Sequence, residues 1–319
     1  MEREQVDAMV GAEATAPVPG WGWTETALAV MVLVWGVNFA VVKRALASFD
    51  PLAFNAVRFV IASAAVGAVL RSRGPLALPE RRDLPRILAL GLLGNVLYQM
   101  CFILGLSLAR AGTASLMLAV TPIFTALLSA LTGHERPGWR TWGGAALSIA
   151  GVALVTGAGL SLEGRQELTG DLILLGAAAV WALYTVGARP IVRRYGSVAT
   201  TAWTLWVGTV GLVLAGMPAM AAQAWDVGWE AWGGLVFSAL FAIGLAYLIW
   251  YRGVEKIGNT RTAIFSNLTP VVAMLAAAVL IGERPSHWAV IGAALTLSGV
   301  MVVRTDTGTR RAPASVRSG

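Results

Sequence analysis

The chain has 319 residues, of which 57% are hydrophobic and 13% are charged, and its formal net charge is +7. Soluble proteins carry roughly 25% charged and about 45–50% apolar residues, so this composition excludes an ordinary soluble domain and predicts a polytopic membrane protein. The positive charge does not indicate a nucleic-acid partner, because the basic residues lie in loops between apolar runs, where membrane topology accounts for them. We therefore expect the lipid bilayer, and no nucleic acid, as a partner.

Apolar runs between charged, glycine-rich and proline-rich breaks predict ten membrane-spanning helices, since a helix needs roughly 20 residues to cross a bilayer. The predicted spans are residues 26–46, 51–70, 84–107, 112–132, 138–157, 170–191, 197–216, 231–251, 259–281 and 287–303. The fold class is therefore predicted to be an all-α integral membrane protein. Residues 1–24 are expected to form a cytoplasmic N-terminal segment, and residues 305–319 a disordered cytoplasmic tail.

The loops between these spans alternate in charge. Arginine and lysine concentrate in every second loop, such as residues 71–86, 189–194 and 252–261, and basic residues favour the cytoplasmic side of a membrane. Both termini are therefore predicted to be cytoplasmic. The N-terminus lacks the basic and early apolar regions of a secretory signal peptide, so insertion should begin with the first span.

An internal repeat divides the chain into two halves of five helices each. The Thr-Pro pair at residues 121–122 recurs at 269–270, and the Glu-Arg-Pro element at 135–137 recurs at 283–285, with the same offset of 148 residues. We predict a first repeat at residues 25–157 and a second at 170–304, joined by an external linker at 158–169.

The odd number of helices in each repeat has a consequence for mechanism. Because five is odd, the second repeat must enter the membrane inverted relative to the first. Two inverted copies can exchange conformations, so that a site between them opens first to one side of the membrane and then to the other. The sequence therefore predicts an alternating-access architecture.

Two motifs in the first half add a family resemblance. The first predicted helix contains Trp-Gly-Val-Asn-Phe at residues 35–39, and the second contains the pair Arg58-Phe59. With the ten spans and the paired Thr-Pro and Glu-Arg-Pro elements, the chain resembles the EamA-domain branch of the drug/metabolite transporter superfamily over roughly residues 25–305. The resemblance implies a ten-helix exporter of amino acids, other small metabolites or drugs in the bacterial inner (plasma) membrane. It also implies a central cavity lined by helices one to four and six to nine, and no cofactor.

Polar residues inside the predicted spans are the main substrate-binding candidates, since such groups are costly in contact with lipid. They are Asn38, Asn95, Gln99, Tyr184, Tyr247 and Asn267. Each can instead form a hydrogen bond between helices, but the set as a whole favours a cavity. Gln99 and Tyr247 are 148 residues apart and thus occupy equivalent repeat positions. Trp35 and Trp181, which are equivalent at an offset of 146, can form aromatic walls or simply fill the core.

Arg58 is the only fully charged side chain predicted well inside a span. Placing arginine at the centre of a membrane helix costs about 2.5–3.5 kcal/mol on insertion scales, so a compensating role is expected. Three interpretations remain open: the guanidinium pairs with a substrate carboxylate, it extends outward to the membrane surface, or it binds carbonyls at a helix end.

Two prolines interrupt predicted helices. Pro122 and Pro270 lack a backbone N–H and therefore leave the carbonyls of Leu118 and Ser266 without their helical donors. Thr121 can supply a replacement donor and is also a substrate-binding candidate. The bends either act as hinges that frame the site or are plain packing kinks.

Four charged residues are candidates for a gate or for ion coupling: Lys43, Arg189, Glu135 and Glu283. Lys43 and Arg189 are equivalent repeat positions that can alternatively serve as interfacial anchors. The two glutamates can alternatively be structural parts of turns. All other acidic residues are expected at helix ends or in loops, which weakens a simple proton-antiport model and leaves uniport or facilitated diffusion open.

The remaining signals argue against an enzyme. The two histidines, His134 and His287, fall at helix boundaries, and the single cysteine, Cys101, has no candidate base in its helix. We therefore expect no catalytic residue and no metal site. The predicted function is an alternating-access exporter or exchanger of small metabolites, with aromatic or hydrophobic amino acids favoured; a drug exporter and a passive channel are the alternatives. Small residues in the fifth and tenth predicted helices allow close packing, either inside the chain or in a homodimer.

Overall fold

The computed structural model describes residues 22–72, 78–131, 138–157, 165–250, 252–253, 256, 265–266 and 268–306. Within these residues the chain is helical apart from short connections, and it contains no β-strand. The helices are α1 (Trp23–Ala45), α2 (Pro51–Arg71), α3 (Arg81–Leu108), α4 (Ala111–Ala119), α5 (Thr121–Leu131), α6 (Trp139–Gly157), α7 (Arg165–Tyr195), α8 (Ser197–Ala222), α9 (Trp229–Trp250), α10 (Thr269–Ile281) and α11 (His287–Asp306).

The described helices have the length and surface of membrane spans. Six of them are long and apolar enough to cross a bilayer, namely α1, α2, α3, α9 and the greater parts of α7 and α8, and four shorter apolar helices accompany them. Large apolar side chains also stay on the surface: Leu33, Val210 and Leu275 are each more than half exposed. A surface of this kind fits lipid rather than water, so the chain is a helical integral membrane protein.

The helix bounds agree with the predicted spans for α1 and α2 but differ for two later helices. Helix α7 begins at Arg165, where the prediction places residue 170, and α8 continues to Ala222 instead of residue 216. At the start of α7, hydrogen bonding extends the helix into polar residues that hydropathy does not count, whereas the additional residues of α8, 217–222, are apolar and the predicted end falls short of them. The last five residues of the predicted linker at 158–169 are therefore helical.

The fourth predicted span is broken next to Pro122. Helix α4 ends at Ala119 and α5 begins at Thr121, with Val120 in a turn between them. The Thr121 hydroxyl donates a hydrogen bond to the carbonyl oxygen of Leu118 at 2.7 Å, which satisfies one acceptor freed by the break. In the other half, Pro270 is the second residue of α10.

Helices α3 and α9 each contain a π-helical segment, Leu92–Leu97 in α3 and Ser238–Leu245 in α9. Adding the offset of 148 residues to the first segment gives residues 240–245, which lie inside the second. π-Helical segments are rare and occur frequently at functional sites. The two halves of the chain thus share this unusual feature at the same position.

Helices α6 and α11 pack closely against each other through glycine, serine and threonine. The Ser148 hydroxyl donates to the Thr296 carbonyl at 2.9 Å, across the pair and across 148 residues of sequence. The closest approaches join Gly151 to Gly292 and Gly299 to Gly144. Because each of these contacts maps onto the other at the same offset, the pair has local twofold pseudosymmetry. The small-residue faces are therefore used inside the chain.

The largest buried hydrophobic cluster joins helices from both halves of the chain. Phe54, Phe102, Leu174 and Leu235 of α2, α3, α7 and α9 belong to it, and none is more than 6% exposed. This cluster fixes α2, α3 and α9 relative to one another, and the candidate site lies between these three helices.

Candidate functional site

Arg58 lies between α2, α3 and α9 and is almost fully buried, with 2% of its surface exposed. One guanidinium nitrogen, Nη2, donates to Asn55 Oδ1 at 2.7 Å and to Gln99 Oε1 at 2.6 Å. The other, Nη1, donates to Ser238 Oγ at 3.2 Å. We call these four residues the Arg58 cluster. It joins both halves of the chain through polar side chains in an otherwise apolar region.

Aromatic rings enclose the guanidinium on several sides. Its central carbon lies 5.7 Å from the ring centre of Phe54 and 5.6 Å from those of Phe59 and Phe102. Cations within about 6 Å of an aromatic ring are stabilised by the electrons of its face, more so where water is excluded. The sequence folds this way locally because Phe54 and Arg58 are four residues apart on one face of α2.

The positive charge of Arg58 has only neutral hydrogen-bond partners. Within the described part of the chain, no carboxylate forms an ion pair with it, and its Nε donor has no hydrogen-bond acceptor. Of the three interpretations of Arg58, outward extension and binding to helix-end carbonyls are wrong, because the side chain is buried and its acceptors are side-chain oxygens. Buried charges are normally paired with an opposite charge, and none of the described carboxylates supplies one to Arg58.

Gln99 and Tyr247, the pair 148 residues apart, come together at this site. Gln99 is 4% exposed and accepts a hydrogen bond from Arg58, and its side chain lies near the Tyr247 hydroxyl. Tyr247 contacts Trp35 edge to face, with ring centres 6.4 Å apart, and Trp35 in turn lies 5.6 Å from Trp250. Trp35, Tyr247 and Trp250 form what we call the first aromatic wall.

A second aromatic wall consists of Tyr98, Trp181 and Tyr184. The Trp181 ring lies 4.7 Å from Tyr98 and 5.1 Å from Tyr184. Tyr98 also stacks on Phe102 at 6.3 Å, which connects this wall to the Arg58 cluster. Each wall combines residues from both halves of the chain, and each contains one of the two tryptophans, Trp35 and Trp181, that are predicted to be repeat equivalents.

The π-helical segments hold parts of both walls. The Trp35 indole N–H donates to the Ala242 carbonyl at 2.9 Å, inside the π segment of α9. The ring of Tyr184 packs directly on Gly94, inside the π segment of α3. Any side chain at Gly94 would collide with this ring, so glycine is required for the close approach. The irregular backbone therefore sets the position of one aromatic residue in each wall.

Other predicted binding residues lie near helices of the site without joining the Arg58 cluster. Asn95 is buried in the π segment of α3, and its Cβ packs on Gly208 of α8. Asn38 of α1 is 7% exposed, and its side-chain oxygen has no hydrogen-bond partner among the described residues. The Thr121 hydroxyl is occupied by the Leu118 carbonyl. Asn267 lies outside the described residues.

Two of the four gate and coupling candidates, Lys43 of α1 and Glu283 in the turn between α10 and α11, make hydrogen bonds within the protein. Lys43 Nζ donates to the carbonyls of Leu106, Ser107 and Ala109 at 3.0, 2.9 and 2.6 Å. Lys43 thus supplies hydrogen-bond donors to the carbonyls at the C-terminal end of α3. Glu283 accepts hydrogen bonds at the start of α4. Glu135 and the side chain of Arg189 lie outside the described part of the structure.

Three functional candidates escape the sequence analysis. Asn55 has a usable signal, because it precedes Arg58 by one helical turn. Ser238 has none, since it meets Arg58 only through packing of α9 on α2. Asp171 is 5% exposed and accepts a hydrogen bond from the Thr113 hydroxyl at 3.2 Å. The expectation that Asp171 marks a helix end is wrong, because α7 begins six residues earlier.

No group of three or more histidine, cysteine, aspartate or glutamate side chains that could hold a metal ion occurs in the described residues. The chemistry of the site is instead that of a buried guanidinium with amide and hydroxyl neighbours between two aromatic surfaces. Such a site can bind a small anion with an aromatic or apolar body.

Comparisons with known proteins agree with a transport site. The model of the EamA-like transporter family matches residues 22–157 and again residues 168–305. The "Probable terminal-alkyne amino-acid exporter" of Streptantibioticus cattleyicolor is 31% identical over 291 residues, which cover 91% of this chain and 96% of that protein. The "Probable amino-acid metabolite efflux pump" of Salmonella typhimurium is 30% identical, with 86% of this chain and 92% of that protein covered.

Solved structures share the fold, and one of them illustrates the likeness. It is described only as "Crystal structure of protein", and it superposes with a TM-score of 0.64 at 22% sequence identity. The match covers 88% of this chain and 96% of that one. At this identity the likeness concerns the architecture alone.

Proposed function

Because the chain belongs to the EamA-like transporter family, we propose that it is an alternating-access exporter or exchanger of amino acids, with aromatic and hydrophobic amino acids favoured. The relatives named as amino-acid exporters support this substrate class. The site adds a physical reason, since it offers a cation for a carboxylate and aromatic surfaces for a side chain.

The observation that carries the proposal is the buried charge of Arg58, which no carboxylate among the described residues balances. Three neutral acceptors hold the guanidinium in place without balancing its charge. A substrate carboxylate brings both the missing charge and two oxygen atoms in the geometry that a guanidinium binds best. In this proposal the carboxylate displaces Gln99 or Asn55 from the guanidinium when the substrate enters.

The rest of the substrate would contact the two aromatic walls. Aromatic and apolar side chains gain from leaving water for such surfaces, which favours large hydrophobic amino acids over small ones. The proposed substrate-binding residues are those of the sequence analysis: Trp35, Asn38, Arg58, Asn95, Gln99, Thr121, Trp181, Tyr184, Tyr247 and Asn267. The side-chain oxygen of Asn38 is buried and has no hydrogen-bond partner among the described residues. In this proposal it accepts a hydrogen bond from the ammonium group of the substrate.

The proposed architecture is ten spans in two inverted repeats of five, with both termini in the cytoplasm of a bacterial cell and the protein in its inner membrane. Two matches to one family model support the duplication. The π segments and the α6–α11 contacts, both related by 148 residues, support it further. A homodimer would need a surface other than the small-residue faces of α6 and α11, which pack on each other.

Exchange measurements on purified protein in liposomes test this function. Liposomes loaded with an unlabelled amino acid are diluted into the same amino acid in labelled form, with and without an imposed pH gradient. The proposal predicts saturable uptake driven by exchange, strongest for aromatic and hydrophobic amino acids. Uptake that does not saturate, or that is indifferent to internal substrate, would instead indicate a passive channel, the alternative class.

A further inference from the structure

A carboxylate from the second half of the chain binds the start of a helix in the first half. Glu283, in the turn between α10 and α11, accepts hydrogen bonds through Oε1 from the Ala111 N–H at 3.0 Å and through Oε2 from the Gly112 N–H at 3.3 Å. These are the first two residues of α4, where helical N–H groups lack partners and the helix dipole favours negative charge. We call this contact the Glu283 clamp.

The neighbouring contacts hold the same turn from the other side. Arg110 donates through Nη2 to the Arg284 carbonyl at 3.0 Å, which ties the turn before α4 to the turn after α10. Lys43 binds the carbonyl of Ala109 and thereby fixes α1 to this region. The end of the molecule that carries these contacts is the face predicted to lie outside the cell, and we refer to it as the outer face.

A cavity of about 170 Å³ lies directly behind the clamp, with Glu283 in its wall. Its polar lining includes Thr113 of α4 and Glu167 and Asp171 of α7, and its apolar lining includes Leu116 and Met274. The cavity provides room for side chains at the start of α4 to shift once its first turn is released. Helix α4 is also short and is separated from α5 by the break at Val120, so it can pivot without bending α5.

Side-chain ion pairs occur at both faces of the molecule, so ion pairs alone do not distinguish one face from the other. Arg44 pairs with Glu230 at the outer face, while Arg194 pairs with Glu80 and Asp83 at the opposite face. The side chains in these ion pairs are between 17% and 60% exposed, and both sets occur in the same conformation as the clamp. The Glu283 clamp instead makes two hydrogen bonds from a carboxylate to backbone, which are stronger than exposed ion pairs.

We propose that the Glu283 clamp is the gate that holds the outer face closed, and that its release lets the start of α4 move and opens the site to the outside. The role of this gate in transport rests on the proposed function. Control of access from the outer face does not depend on any substrate, so it is tested without one.

Accessibility of a buried cysteine from the outer face measures the gate. In a Cys101→Ser background, the reporter is Met117→Cys, because Met117 lies six residues beyond Ala111 on α4 and is fully buried. A membrane-impermeant thiol reagent is applied to the outer face of cells, and the rate of modification is followed. Loss of the clamp by Glu283→Ala should raise this rate roughly tenfold or more, as expected from two lost charge-assisted hydrogen bonds.

Two matched variants and a second reporter control this experiment. Glu283→Gln keeps the shape and one acceptor oxygen, so its rate should fall between those of the parent and the alanine variant. Glu230→Ala removes the same charge from an exposed ion pair on the same face and should leave the rate unchanged. The reporter Ile87→Cys, buried at the opposite end of the molecule, detects general loosening when the reagent is applied to inverted vesicles.

The gate is contradicted by an unchanged Met117→Cys rate in Glu283→Ala, by an equal rise in Glu230→Ala, or by a parallel rise at Ile87→Cys. A selective rise in the Glu283 variants supports it. Neither result depends on the amino-acid substrate, so failure of the gate and failure of the proposed function remain separable.

Discussion

Arg58 is held in place by acceptors that leave its charge unbalanced. The amide oxygens of Asn55 and Gln99 and the hydroxyl of Ser238 orient the guanidinium, and three aromatic rings exclude water around it. A buried arginine of this kind binds a carboxylate with a more favourable free energy than a hydrated arginine does. The reason is that less desolvation of the arginine remains to be overcome when the ligand binds.

A carboxylate built into the protein should imitate the substrate. Gln99→Glu places an anion 2.6 Å from Arg58 Nη2 if the side chain keeps its position, so we expect loss of amino-acid exchange together with a higher thermal unfolding temperature. The stability follows from pairing a buried charge, and the loss of exchange follows from occupation of the guanidinium. The control Gln166→Glu, at an exposed position in the first turn of α7, should change neither quantity, and normal exchange in Gln99→Glu would count against the carboxylate site.

At the scale of elements, the helices around the candidate site contain irregular backbone. The π segments of α3 and α9 position Tyr184 and Trp35, and the break before α5 separates two short helices. In contrast to these irregular segments, α6 and α11 form a pair of helices that pack closely on each other. The molecule thus combines a rigid helix pair with helices that contain irregular backbone around the site.

Removing the proline after the break should slow conformational exchange. Pro122→Ala restores a backbone donor and permits a continuous α4–α5 helix, so we expect exchange to slow several-fold while the affinity for substrate stays within about twofold. Pro218→Ala, within α8, is the matched control and should leave the exchange rate unchanged. Parallel measurement of substrate binding and exchange separates the two effects; a pure loss of affinity would show that the break is not a hinge.

Enlarging a glycine between α6 and α11 should destabilise the protein. An added Cβ at Gly151 would lie 2.5 Å from Thr296 Oγ1 and 2.6 Å from the Gly292 carbonyl, too close for either neighbour to remain in place. Gly151→Val should therefore cost about 1–3 kcal/mol of unfolding free energy, measured by denaturation in detergent. Gly143→Ala, where no atom of the described residues lies within 4 Å of the added Cβ, should be neutral, and equal stability of both variants would refute the close packing.

At the scale of the whole molecule, much of the fold follows from sequence because the bilayer imposes one length and one polarity on every span. The membrane class and the positions of α1 and α2 are predicted for that reason. The early start of α7 is missed because its first residues are polar. In the site, Arg58, Gln99 and Tyr247 are found through charge, depth and repeat spacing, whereas Ser238 depends on how α9 packs against α2, which no local pattern encodes.

The orientation in the membrane has its own test. In a Cys101→Ser background, Arg165→Cys should react with an impermeant thiol reagent added outside cells, whereas Leu78→Cys should react only from the cytoplasmic side. Both positions are exposed in the structure, so their reactivity reports the side of the membrane rather than burial. The reverse pattern would overturn the predicted topology.

The most direct test of the central claim is competition between matched ligands with and without a carboxylate. Exchange of labelled phenylalanine is measured in liposomes against unlabelled phenylalanine and phenylethylamine, for the parent protein and for Arg58→Gln, with Arg44→Gln as the control for a surface charge. The account predicts that phenylalanine competes at least roughly tenfold better than the amine, as expected for one buried charge-assisted interaction. It further predicts that Arg58→Gln abolishes this preference, while Arg44→Gln retains it. Equal competition by both ligands in the parent protein, or an intact preference in Arg58→Gln, would contradict the assignment of Arg58 as the carboxylate-binding residue.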